Sequence, residues 1–189
     1  MLRAGLFVVG LLCGGCSQAP ANDSVQDPAD GIELFTAACV GTTSDKARLA
    51  ELAERSGWAP LPFSAGPGGP DWGLGYDLSW ARVMLAGRDH EVRRTDPSGR
   101  AGTQQRNVVC AVDARTTPSD WETRLADEAD RLDLAPSGVP ISAMRPDVRS
   151  AAVAKIWGEP GRRVLLAYER ADGTFVVEMT TFLPLVSTD

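Results

Sequence analysis

One histidine and only two lysines stand among 189 residues, and each scarcity removes a class of chemistry. With His90 alone, no two-histidine metal site can form, and a nucleophile–base–acid triad would have to use this one side chain. His90 lies in the charged run Arg88-Asp89-His90-Glu91, which reads as a wet turn region, and no G-x-S-x-G elbow supplies a serine for it. Thr43-Ser44-Asp45-Lys46 has threonine where an S-x-x-K nucleophile would need serine, so Ser44 reads as a helix cap. The glycines between Gly66 and Gly75 are interrupted by Pro67 and Pro70 and are followed by no Lys-Ser or Lys-Thr pair, so they do not form a phosphate cradle. No cofactor and no metal is expected. Since the lysines are only Lys46 and Lys155, the positive charge is almost entirely arginine, and the net charge of -6 argues against a nucleic-acid partner.

Long apolar runs are also missing. The run Ala4 to Leu12 has nine residues, against the roughly 18 to 20 needed to span a bilayer. Preceded by Arg3 and followed by Cys13-Gly14-Gly15-Cys16, it reads as the core of a removable signal over residues 1–15. Gly14-Gly15-Cys16 resembles the lipobox of bacterial lipoproteins, with Cys13 where that family usually has leucine and Leu12 one step further back. The resemblance implies that Cys16 is acylated and becomes the new amino terminus, anchoring the chain to the periplasmic side of a bacterial membrane, the outer one above all. The alternative is ordinary cleavage after Ala19-Pro20-Ala21, which would leave a soluble periplasmic protein. Cys13 and Cys16 also have C-x-x-C spacing, but at the edge of a segment that is cut away the pair cannot open a redox helix.

Four cysteines are present. If Cys13 leaves with the signal and Cys16 takes lipid, Cys39 and Cys110 remain as an even pair in an oxidising compartment, and a disulfide between them is expected. Closing a loop of about 70 residues would stabilise the fold by roughly 4 to 5 kcal/mol by the chain-entropy argument.

Residues 16–30 are polar and aperiodic and read as a flexible tether, and residues 31–189 as a single α+β domain. Apolar spacing predicts helices over 32–40 and 45–56, the second capped by Ser44 and stopped by Gly57. Ser119 and Glu122 have capping-box spacing for a third helix reaching about Leu134. Nine of the 17 residues from Ala59 to Gly75 are proline or glycine, which predicts a loop. Strands are expected over 78–86, 91–95, 107–113, 148–157, 163–170 and 174–182, with Gly87 turning the chain after the first and Asp172-Gly173 making the last hairpin. The fold expected is an antiparallel sheet of about five to six strands backed by two to three helices, organised as two α-β-β-β halves.

Two groups of residues could carry function. Six arginines stand between Arg82 and Arg106 against Asp89, Glu91 and Asp96, and of these Arg88, Arg93, Arg94 and Arg100 are the candidate surface for an acidic partner. Asp77, Asp113 and Glu159, at strand ends, are the candidates for a carboxylate pair of the kind that cleaves glycosidic bonds. Trp58, Trp72 and Tyr76 bracket the Pro/Gly segment as binding anchors or as cover for the sheet. The phrase Ala37-Ala38-Cys39-Val40, followed by a short helix and Gly57-Trp58, resembles a pattern in uncharacterised exported proteins of Gram-negative bacteria, which implies an envelope location. The function expected is a non-enzymatic envelope binding module, and its rival is a hydrolase of envelope polymers.

Overall fold

The computed structural model describes residues 28–64, 69–92, 103–140, 154–159 and 162–184. Cys16, Arg93, Arg94 and Arg100 lie outside them. In chain order the elements are α1 (Gly31–Phe35), a π-helical turn (Thr36–Val40), α2 (Lys46–Arg55), β1 (Ala59–Leu61), β2 (Trp72–Leu78), β3 (Ala81–Val92), β4 (Thr103–Ala114), α3 (Trp121–Arg131), β5 (Ala154–Glu159), β6 (Arg163–Glu169) and β7 (Phe175–Pro184).

The strands form one antiparallel sheet in the order β1-β2-β3-β4-β7-β6-β5. The α+β class is as expected, with seven strands in place of five or six. The order also gives the two halves a physical form. β1-β2-β3-β4 follow α2, one strand more than an α-β-β-β half, β5-β6-β7 follow α3, and the last strands of the two runs, β4 and β7, pair along the middle from Ala114↔Phe175 to Gln105↔Pro184.

Alternation sorts the side chains. Val83 and Leu85 of β3, Val108, Cys110 and Val112 of β4, and Val177 and Met179 of β7 share one face and are buried under the helices with Leu34, Phe35, Leu49, Leu125 and Ala129. Trp121 of α3 meets the Phe175 ring at 5.5 Å between centroids. On the opposite face Ile156, Val164, Leu166, Tyr168 and Val176 form a second apolar cluster.

α1 starts where Asp30, in extended conformation, accepts hydrogen bonds from the backbone of Ile32 (2.9 Å) and Glu33 (3.1 Å). Its continuation widens into the π-turn, closed by the bond from Gly41 N to the Thr36 carbonyl at 2.7 Å. α2 ends as its sequence predicts: Gly57 takes φ 66° and Trp58 N reaches back to the Ala53 carbonyl at 3.0 Å.

Five local expectations need correction. Asp45, not Ser44, caps α2, accepting from Arg48 N at 3.0 Å, because Ser44 has φ 53° and its hydroxyl donates to the Cys39 carbonyl. The capping box of α3 does not form: Asp120 takes the cap position at φ -104°, ψ 14°, outside the extended region that aims a cap side chain at the first turn. That helix stops at Arg131, and Asp133 (φ 57°) lets Leu134 N return to the Ala129 carbonyl at 2.9 Å. The stretch 59–75, expected as a loop, contains β1 and the start of β2, because side chains occupy the space that its glycines leave open: the Phe63 ring lies over Gly73 and Leu61 over Gly75. Gly87, expected as a turn, lies within β3 opposite Trp72, whose indole sits where a Cβ would be. The turn falls instead at Ser79-Trp80, between β2 and β3.

Candidate functional site

The carboxylate candidates are brought onto the sheet but not together. Asp77, Arg82 and Asp113 are consecutive cross-strand neighbours on β2, β3 and β4, so the two acids stand two strand spacings apart, about 10 Å, with an arginine on the strand between. Each acid holds a guanidinium: Arg82 Nε lies 3.2 Å from Asp77 Oδ1, and Arg170 Nη1 lies 2.9 Å from Asp113 Oδ2. Burial depresses the Arg170 pKa, but the charge of Asp113 and the interaction with Tyr168 outweigh it and raise it above its ordinary value. Glu159 is at the end of β5, on the far edge of the sheet. Asp77 and Asp113 thus share one sheet face with Arg82 between them and each engages a guanidinium, while Glu159 stands apart from both.

Among the arginine candidates, the described one is half-buried and occupied. Arg88 donates from Nε to the Gly69 carbonyl at 3.0 Å, and its Nη2 donates to the same oxygen. The side chain therefore fastens the segment leading into β2. β3 and β4 outrun β2: β2 ends opposite Gly87 and Asp71 N bonds the Gly87 carbonyl at 2.8 Å, whereas β3 and β4 continue pairing to Val92↔Thr103, with β7 beside β4 as far as Gln105. The backbone of His90 lies in this extension, opposite Gln105.

Cys39 and Cys110 are joined, with S–S 2.07 Å and Cα–Cα 5.5 Å, and both are fully buried. The π-turn carries one sulfur to the middle of β4, where the other points inward. The loop aromatics cover the sheet: Trp58 meets Tyr76 edge-on at 6.1 Å, and Trp72 packs on Gly87 with Lys46 Nζ 5.8 Å from its ring. Burial raises the Tyr76 pKa above its ordinary 10.0.

α1 and α3 are tied by charge. Arg124 Nη1 lies 2.5 Å from Asp30 Oδ2, with Glu33 at 3.8 Å and Asp120 at 3.6 Å. Burial pushes the Asp30 carboxyl up, yet the hydrogen bonds from Arg124 and from the backbone of Glu33 and Ile32 leave it below its ordinary value. Glu128, 2% exposed, is held by Arg131 Nη2 at 2.6 Å.

Sequence reasoning missed one depression, an open hollow of about 720 Å³ between the chain after α3, the β5–β6 turn and the end of β7. Arg162 and Arg163 line it, and among the described residues neither guanidinium has a carboxylate partner. The adjacent arginines after Pro160-Gly161 were the available signal. The described residues contain no cluster of three metal-ligating side chains and no helix long and apolar enough to cross a membrane. No protein-family model, curated protein or solved structure matches the chain.

Proposed function

We propose that this is an exported envelope protein, anchored by a lipid on Cys16 to the periplasmic side of a bacterial membrane, that works as a non-enzymatic binding module for an acidic envelope partner. The observation that carries the binding reading is the pairing of the acids. Asp77 and Asp113 are each neutralised by an arginine on an open sheet surface and Glu159 is remote from both, so the acids that a hydrolase would need are already engaged or dispersed. The buried Cys39–Cys110 disulfide supports export, since such bonds persist in oxidising compartments. The choice of partner is supported by the sequence, in which six arginines from Arg82 to Arg106 stand against three acids in an otherwise acidic chain.

The location is tested by the intact mass of membrane-extracted protein, which should correspond to a chain beginning at acylated Cys16; a chain beginning at Asn22 would replace the anchor with plain secretion. Binding is tested by in vivo crosslinking of wild type and an Arg93→Ala/Arg94→Ala variant. Capture should fall in the variant and with added salt, while the melting temperature stays near that of wild type, since exposed charge pairs contribute about 0 to 1 kcal/mol. A lowered melting temperature with unchanged capture would assign these arginines to the fold and overturn the binding surface.

A further inference from the structure

We infer that the depression beside β5 and β6 is a binding site for a small carboxylate ligand with an apolar body. The inference rests on this hollow alone and does not depend on export or on the arginines of the β3–β4 extension.

Elsewhere in the described structure Arg82 is held by Asp77, Arg88 by the Gly69 carbonyl, Arg124 by Asp30, Arg131 by Glu128 and Arg170 by Asp113, while Arg48 and Arg115 are exposed singly and also lack an acid. Arg162 and Arg163 are the adjacent pair left without an acid, although Glu159 is directly opposite Arg163 in the β5–β6 register. A guanidinium presents a rigid fork of donors that matches a carboxylate with two parallel hydrogen bonds, and either arginine of the lining can supply one. Thr181, opposite Arg163 on β7, adds a hydroxyl on the same wall.

The rest of the lining selects what hangs from that head. Leu134, Phe182 and Leu183 line the hollow, and Leu183, at 45% exposure, is one of two large apolar side chains left exposed among the described residues. An apolar body lying against Leu183 removes its exposed surface from water. Among the described residues Asp133 and Glu159 also line the hollow, and their negative charges oppose a phosphate dianion more strongly than a carboxylate monoanion.

Isothermal titration of the full chain, with Cys16→Ser to keep it free of lipid, tests this with octanoate, acetate, octylammonium and octyl phosphate below their micelle concentrations. Octanoate should bind, and acetate, which lacks the body, should bind at least about tenfold more weakly, as loss of two or more buried methylenes predicts. Octylammonium and octyl phosphate should each be weaker than octanoate. Arg162→Gln/Arg163→Gln should weaken octanoate by about tenfold or more with an unchanged melting temperature. If the double substitution lowers stability, Arg162→Gln alone, at the more exposed position, should still weaken octanoate measurably. No heat from octanoate, equal binding of octylammonium or octyl phosphate, or unchanged binding in a folded arginine variant would each overturn the site.

Discussion

Asp30 does three jobs at one position, which makes it the most informative single residue to change. Its carboxylate caps α1, accepts from Arg124, and so joins the first helix to the third. Asp30→Ala should cost about 1 to 2 kcal/mol in urea unfolding at neutral pH, the upper range for loss of a cap. The pH dependence follows from the lowered pKa. A carboxyl whose folded value lies below its unfolded value of 3.8 stabilises the fold fully above 3.8, and that contribution is lost as pH falls toward the folded value. The stability difference between wild type and Asp30→Asn should therefore be constant from pH 7 to about 5 and shrink below about 4; a difference that persists undiminished at pH 2 would contradict this. Gly87 is the second informative position. A methyl group there would enter the Trp72 indole, so Gly87→Ala should destabilise by about 1 to 3 kcal/mol. In a Trp72→Ala background the same substitution should cost less, and a double-mutant cycle with no coupling would refute the contact.

At the scale of elements, the π-turn decides where the first helix delivers its cysteine. A bond from residue i to i−5, as in Gly41 to Thr36, admits one more residue per turn than the ordinary ladder, and Cys39 lies within the turn so formed. The disulfide then staples this segment to β4 across a sequence separation of 71 residues. Replacing both cysteines by alanine should cost about 2 to 5 kcal/mol in denaturant unfolding. Alkylation without reductant should leave both cysteines unmodified, and two alkylated thiols in periplasmic material would contradict the linkage. The β5 edge is also managed by a neighbouring element. Ser137 N bonds the Ile156 carbonyl at 2.9 Å and Gly158 N bonds the Ala135 carbonyl at 2.7 Å, so the segment after α3 covers a strand edge that would otherwise invite pairing.

For the molecule as a whole, the proposed binding module needs a surface on which its partner docks. The acids on the outer face offer a control, since Asp77 and Arg82 are 46% and 63% exposed. Asp77→Asn and Asp113→Asn should each change stability by no more than about 1 kcal/mol and leave crosslinked capture intact. Hydrolysis of an envelope polymer that both substitutions abolish would instead restore the enzyme reading. Much of this architecture was legible from periodicity alone: the inward side chains Val108, Cys110 and Val112, the buried stripe of α3 with Trp121 and Leu125, and the Asp172-Gly173 turn with Gly173 at φ 79°. These are local signals, set by which residues recur on one face and which backbone angles a residue permits. The Cys39–Cys110 pair was also reachable, because elimination among four cysteines left one pairing. The strands through 59–61 and 72–78, the place of Gly87 inside β3, and the engagement of Arg88, Asp77 and Asp113 were not legible, because each is settled by a residue distant in sequence or brought across a strand. A glycine-rich stretch becomes a strand only when Phe63, Leu61 and Trp72 fill the space its glycines leave. A charged side chain becomes occupied or available only when the sheet register chooses its neighbour. The sequence by itself determined the local periods and the hairpin near Gly173. The tertiary structure alone decided which charges are paired and which, like Arg162 and Arg163, stand over an open hollow, since pairing depends on distances that only the folded chain defines.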